Sequence, residues 1–170
     1  GSHTFETVSY LVMERGSFTL ENGARVEAGR FSTNKVNTFG QVNFNQSFTN
    51  VPVVVTSITS FNGSDTVTGR VQKVSTRGFQ YTMQEQESIS DGHAAESIAY
   101  IAWEPSAGNI AGIAYKIGKT KDVVNSNLHT IQFGQAFADI PVFFADMQTA
   151  EGSDTANIRW KSVDVDNAKI

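Results

Sequence analysis

The residues best placed to do chemistry are Glu85, Glu87, Asp91, His93 and Glu96. Glu85 and Glu87 close one strand-like run, and Glu96 opens the next. If the two runs form a hairpin, their ends adjoin, because paired strands lie about 4.8 Å apart. Four carboxylates and an imidazole then gather at one rim. Crowded like charges are costly unless paired or bound to metal. Two functions fit such a rim: a calcium site built from oxygen ligands, or acceptors for sugar hydroxyls. The structural alternative is a solvated loop edge in which Arg70, or the Arg of another repeat, neutralises one carboxylate. Glu85 and Glu87 share a strand face with Phe79, Tyr81 and Met83, which reads as a core face.

Catalysis has little support. Glycoside hydrolysis needs two carboxylates at a set separation, one with a raised pKa, and Glu85 with Glu96 supplies such a pair by type alone. There is no nucleophile elbow, P-loop, dinucleotide-binding glycine fingerprint or His-x-x-x-His zinc spacing. His3, His93 and His129 are isolated in sequence. With no cysteine, the chain has neither disulfides nor a thiolate zinc site. We therefore expect no enzyme. Asn62-Gly63-Ser64-Asp65 and Glu151-Gly152-Ser153-Asp154 read as polar glycine turns between strands. Trp103 and Trp160 suit either a sugar face or packing, with packing the plainer role.

The elements that must position these groups are strands. The chain has 17 Val, 11 Ile and 12 Phe against only 3 Leu, which favours sheet over helix. Strand-like runs cover Val8–Met13, Gln41–Phe48, Val51–Phe61, Thr66–Val74, Phe79–Glu87 and Glu96–Glu104. Asn22-Gly23 lies between two short runs and predicts a type I′ hairpin. The 170 residues carry a net charge of -4, which argues against nucleic acid or an anionic membrane surface as partner. No apolar run approaches the roughly 20 residues of a membrane helix. Gly1-Ser2 reads as a cloning remnant, so the missing signal peptide is uninformative.

The chain also repeats itself. Residues 26–81 align with 115–170 at an offset of 89 without a gap, with twelve identities in fifty-six positions. These include Gly29/Gly118, Phe44/Phe133, Gln46/Gln135, Phe48/Phe137 and Arg70/Arg159. At an offset of 90, Glu6-Thr-Val-Ser-Tyr10-Leu-Val-Met-Glu14 matches Glu96-Ser-Ile-Ala-Tyr100-Ile-Ala-Trp-Glu104. A period near 90 fits tandem small β domains rather than a solenoid.

Residues 51–104 carry a family resemblance. Val-Pro-Val-Val-Val-Thr-Ser-Ile-Thr (51–59) is followed by Gly-Arg-Val-Gln-Lys-Val-Ser-Thr-Arg-Gly-Phe (69–79) and Ser-Ile-Ala-Tyr-Ile-Ala-Trp-Glu (97–104). This resembles the H-type lectin family of snail agglutinins and the discoidin C-terminal domain. The resemblance implies a six-stranded antiparallel sandwich that usually trimerises and binds galactose or N-acetylgalactosamine. It also implies a sugar-gripping Arg, matched by Arg70 and repeated at Arg159, and a sugar-contacting hairpin. The Trp and His of the snail hairpin are replaced here by Gln86 and Glu87, so the resemblance does not set the sugar. The repeats also resemble modules of large secreted bacterial polysaccharide-processing or adhesive proteins.

We thus expect an all-β chain: a six-stranded antiparallel sandwich repeated every 90 residues or so. Residues 16–105 form one whole copy. Residues 106–170 form a second, incomplete copy, which strand 3–14 is a candidate to complete; a phase of 3–91 and 92–170 is equally allowed. The expected function is non-catalytic carbohydrate binding in a secreted or cell-surface protein, with neighbouring repeats or a homo-oligomer as partners. Arg70, Glu85, Glu87, Asp91, His93 and Glu96 would contact the sugar. The alternative is a structural or adhesive spacer that binds no small ligand. No cofactor is expected beyond calcium at the rim.

Overall fold

The computed structural model describes residues 10–85, 92–152 and 156–170, and among them it is all-β with no helix. Seven strands build the first half: β1 (Gly16–Thr19), β2 (Arg25–Thr33), β3 (Gly40–Asn43), β4 (Val53–Ile58), β5 (Val67–Gln72), β6 (Gly78–Glu85) and β7 (Glu96–Trp103). They form two antiparallel sheets, ordered β1-β2-β7-β4 and β3-β6-β5. The sheets share one core. Val54, Ile98, Tyr100 and Ala102 from the first meet Val71, Phe79, Tyr81 and Met83 from the second. Strand alternation explains the sorting, because every second residue of β6 and β7 points to that core. Phe31 bridges the layers, edge-on to both Phe79 and Tyr81.

Two sequence expectations change here. The β1–β2 hairpin forms, but Gly23 has a positive φ and Asn22 does not, so its turn is not type I′. Instead Gly23 N donates to the Leu20 carbonyl and Leu20 N to the Ala24 carbonyl, closing a longer loop with glycine at its left-handed position. The two-residue turn with positive φ at both centres is Ala111-Gly112, an unexpected place because alanine tolerates that region poorly. Strand β2 also runs to Thr33, well beyond the apolar signal at Val26. The sequence hid it because β2 turns Glu27 and Gly29 inward, where apolar side chains are the usual occupants.

Both inward residues have a reason. Gly29 lies under the Tyr100 ring, and a Cβ there would come within 2.3 Å of it. Glu27 is fully buried. It accepts hydrogen bonds from the Tyr100 hydroxyl (2.6 Å), the Asn45 and Gln46 backbone N–H groups (3.0 Å each) and the Ser17 hydroxyl. A buried carboxylate is tolerable only with such a set of donors.

The second half has five short strands: β8 (Ser106–Ile110), β9 (Ile113–Ile117), β10 (Thr130–Gln132), β11 (Ser162–Val163) and β12 (Asn167–Lys169). Several of its contacts reproduce those of the first half at an offset of 89. Val42 pairs with Phe79, and Ile131 with Ala168. Phe44 N donates to Arg77 O, and Phe133 N to Asp166 O. Gln46 Nε2 donates to Val26 O, and Gln135 Nε2 to Tyr115 O. The edge-on ring pair Phe44–Phe48 recurs as Phe133–Phe137. Residues 142–147 and 156–161, which correspond to β4 and β5, form no strand. Ile140, Val142 and Phe144 stand exposed.

This half lies against the first one. Trp103 packs on Tyr115, whose hydroxyl accepts from Asn22. Asp146 accepts from the N–H and hydroxyl of Thr56, and Gln148 exchanges hydrogen bonds with Val54 N and O. Side chains thereby satisfy the open edge of β4, one way to keep an edge strand from pairing elsewhere. Tyr10, Leu11 and Val12 are exposed and belong to no strand. The rest of the strand expected at 3–14 lies outside the described residues up to position 9.

Candidate functional site

The expected hairpin between the runs ending at Glu87 and beginning at Glu96 does not form. Strand β6 pairs with β3 and β5, and β7 with β2 and β4, in opposite sheets, because each strand's apolar face packs across the core rather than beside the other. The two strands still bring Glu85, His93 and Glu96 to one end of the two-layer unit. Glu85 ends β6, Glu96 begins β7, and His93 precedes it. Glu87 and Asp91 lie outside the described residues. Glu85 keeps the parity of Phe79, Tyr81 and Met83 and is buried, as the alternation predicts.

Glu96 is the hub. Its side chain is 2 % exposed. One oxygen accepts from Asn62 N (2.8 Å) and Gly63 N (2.9 Å), and the other takes a short bond from the Ser60 hydroxyl. The Ser60 hydroxyl, together with these N–H groups and His93, holds the carboxyl below the usual carboxylate range against the opposing effect of burial. Glu96 thus fastens the 60–63 loop to the start of β7. Its oxygens face inward to that loop.

His93 fastens the same corner from the other side. Nδ1 lies 2.8 Å from Ala94 O and Nε2 3.2 Å from Asp65 O. Both partners are carbonyls, so both bonds together require the doubly protonated ring. The Ala94 carbonyl raises the imidazole pKa most, burial opposes it, and the Asp65 carbonyl, Glu96 and Glu85 add to the rise. The ring lies directly over Gly63, where a Cβ would come within 2.4 Å. The Asn62–Asp65 turn therefore needs its glycine for the histidine to close on it.

Arg70 stands apart from this corner. It pairs across the sheet with Thr82, so it points to the outer face, opposite to Glu85. Its guanidinium donates to Gln84 Oε1 at 3.1 Å and is only 4 % exposed. It lies close enough to Asp146 to lower that carboxyl's pKa, although burial raises it overall. Thr68, Gln72, Gln80 and Gln84 alternate onto the same outer face, with Gln72 bonded to Gln80 at 2.9 Å. Strand geometry thus separates what one list of candidates had joined: a polar outer face around Arg70, and a clamped loop corner at His93 and Glu96. Among the described residues, no group of three or more His, Asp or Glu side chains gathers to hold a metal ion.

Three acidic residues with structural work were absent from the sequence candidates. Glu27 was concealed by an inward position in an unrecognised strand. Glu104 accepts from Thr49 N, Asn50 N and Arg25 N; burial opposes its ionisation, but these donors hold its pKa below the ordinary value. Its signal was its recurrence as Glu14 in the offset-90 match. Asp146 had no sequence signal, since its partner Thr56 is ninety residues away. Trp160 is half exposed and edge-on to Phe143, whereas Trp103 is partly covered by Tyr115.

The strands that carry Arg70 and the clamped corner, from β3 to the end of β7, coincide with a known domain. Residues 40–103 match the H-type lectin domain. The family resemblance read from the sequence is borne out. The chain is also 30% identical over 161 residues to halomucin of Haloquadratum walsbyi, covering 93% of this chain but 2% of that protein. No solved structure matches it. The lectin domain match begins at β3 and ends with β7, so β1 and β2 lie before it although β2 pairs along the whole of β7.

Proposed function

We propose that the unit around residues 40–103 is a non-catalytic carbohydrate-binding module of a protein that works outside the cell, in adhesion or polysaccharide handling. The match to the H-type lectin domain carries this reading. The binding surface we assign is the outer face of β5 and β6, where Thr68, Gln72, Gln80 and Gln84 surround the nearly buried Arg70. Amide and hydroxyl side chains on that face suit sugar hydroxyls. His93 and Glu96 fix the 60–65 loop at the start of β7, at one end of the unit. Repeats would add avidity to a weak single site.

The second reading is a structural or adhesive spacer. It draws on the near-complete burial of Arg70, Glu85 and Glu96. A glycan array with and without chelator separates the two. The lectin reading expects selective binding that falls at least tenfold in Gln84→Ala and Arg70→Lys, with thermal melting close to wild type. A flat array from well-folded protein would favour the spacer. Binding lost on chelation would place calcium at the rim.

A further inference from the structure

We propose that the crevice between β4 and β5 is a subsite for one neutral, hydroxyl-rich sugar ring, held jointly by the two halves of the chain. The ligand class rests on the carbohydrate reading above; the site itself is separate from the outer-face centre at Arg70 and Gln84.

The crevice lies where the two sheets part. Strand β4 is the edge of one sheet and β5 the edge of the other. Thr56 and Ile58 keep the parity of buried Val54, and Gly69 that of buried Val71, so all three face the gap between the layers. A cavity of about 270 Å³ opens there, lined by these residues with Thr68, Asp146 and Asn157 among others. That is below the roughly 300–1,000 Å³ of pockets for drug-sized ligands, so it suits one ring rather than a chain of them. Asp146 and Asn157 come from the second half, so the site is complete only where the two halves are docked.

The walls hold hydrogen-bonding capacity that the fold leaves over. Tyr81 is 1 % exposed, and its hydroxyl has no hydrogen-bond partner among the described residues. Burying a hydroxyl without a partner is costly. This one stands at the Gly69 wall, where a Cβ would come within 2.6 Å of it. Burial raises its pKa most, and Asp146 is close enough to raise it further. Asp146 Oδ2 accepts from both the N–H and the hydroxyl of Thr56. Oδ1 accepts from Met147 N, which leaves it a second lone pair. The Thr56 hydroxyl donates to Asp146 and can still accept. A phenol donor, a carboxylate acceptor, two threonine hydroxyls and the Asn157 amide therefore converge. Sugar hydroxyls match such a mixed set because each one both gives and takes a hydrogen bond, and Ile58 offers the ring an apolar contact. The ligand is neutral by charge: Arg70 already offsets Asp146, an anion would meet the carboxylate, and among the described residues no acidic group gathers to hold a metal ion.

Titration of the isotope-labelled chain with free galactose, glucose, mannose and N-acetylgalactosamine, followed by amide NMR, tests the subsite. At least one sugar is expected to shift the signals of Thr56, Gly69 and Asn157. Tyr81→Phe is expected to weaken that binding about tenfold, the worth of one good hydrogen bond. The same variant should melt at or above the wild-type temperature, because the fold makes no use of the hydroxyl and phenylalanine keeps the ring contact with Phe31. Shifts confined to the side-chain amides of Gln80 and Gln84 would overturn the subsite while leaving the outer-face reading standing. Unchanged affinity in Tyr81→Phe, or a clear fall in its melting temperature, would overturn it by assigning the hydroxyl to the fold. No shift with any of the four sugars would overturn it as well, and the glycan array then decides the wider reading by itself.

Discussion

Gly29 and Gly118 occupy equivalent places and meet different surroundings: a tyrosine ring lies over one, and among the described residues no atom comes within 4 Å of a Cβ on the other. Around Gly29, nine-residue β2, eight-residue β7 and six-residue β4 form continuous ladders. Around Gly118, β9 stops at Ile117 and residues 142–147 form no strand. The two halves share phenylalanines, glycines and turn contacts, yet reach different degrees of order. Among the described residues, no strand pairs with both β9 and residues 142–147, and Val142 and Phe144 are exposed. A strand flanked by two neighbours satisfies the backbone groups of both, as β7 does for β2 and β4. The β3–β6 corner recurs in the second half as β10–β12.

Paired substitutions can break this comparison. The largest contrast is expected for Phe48→Ala against Phe137→Ala. Phe48 is in the core, and its loss should cost about 4 kcal/mol, while the half-buried Phe137 should cost under about 2 kcal/mol. Gly29→Val should cost about 3 kcal/mol by driving Tyr100 out of place, against less than about 0.5 kcal/mol for Gly118→Val. Equal melting shifts for the two glycines would mean that Gly118 is covered as closely as Gly29. Glu27→Gln should cost roughly 2 kcal/mol, since its amide turns donors toward the donors of Asn45 and Gln46, whereas Lys116→Ala should be near neutral. Chemical denaturation of each variant measures these differences.

The smallest effects concern pH. Glu96 and Glu104 have lowered pKa values, so their stabilisation is present above the ordinary glutamate range and is lost as pH falls through the lowered values. His93 has a raised pKa, so its clamp is complete below the ordinary histidine value near 6.5 and weakens as pH rises through the raised one. Asp146, raised by burial, opposes the two glutamates: its seat on β4 strengthens as pH falls. Amide hydrogen exchange should therefore show the 60–65 loop opening first on the alkaline side. At acid pH the β4 edge should outlast the loops held by Glu96 and Glu104. Uniform loss of protection across these segments would show that the clamps do not act locally.

Much of this was legible in the sequence. The runs at 51–61, 66–74, 79–87 and 96–104 each contain a strand, because alternating apolar and polar residues make one face insoluble and the other wet. The core face of Phe79, Tyr81, Met83 and Glu85 was readable for the same reason. The candidate site was legible as a list of residues, and less so as an arrangement. Sequence places Arg70 and Glu85 among the candidates for one site; the β5–β6 register puts them on opposite faces of one sheet.

By itself the sequence determined the all-β class, the lectin domain resemblance and the recurrence of shared residues at an offset of 89, since composition, motif and spacing are properties of the chain. Tertiary structure alone decided what each repeated residue does. Glu27, Glu96 and Glu104 became buried fasteners because donors from distant segments converge on them. Gly29 became tightly constrained because a ring arrives over it from seventy-one residues away, whereas no described residue comes within 4 Å of a Cβ at Gly118. Strand partners are non-local, so only the assembled sheet can say which copies of a motif are finished.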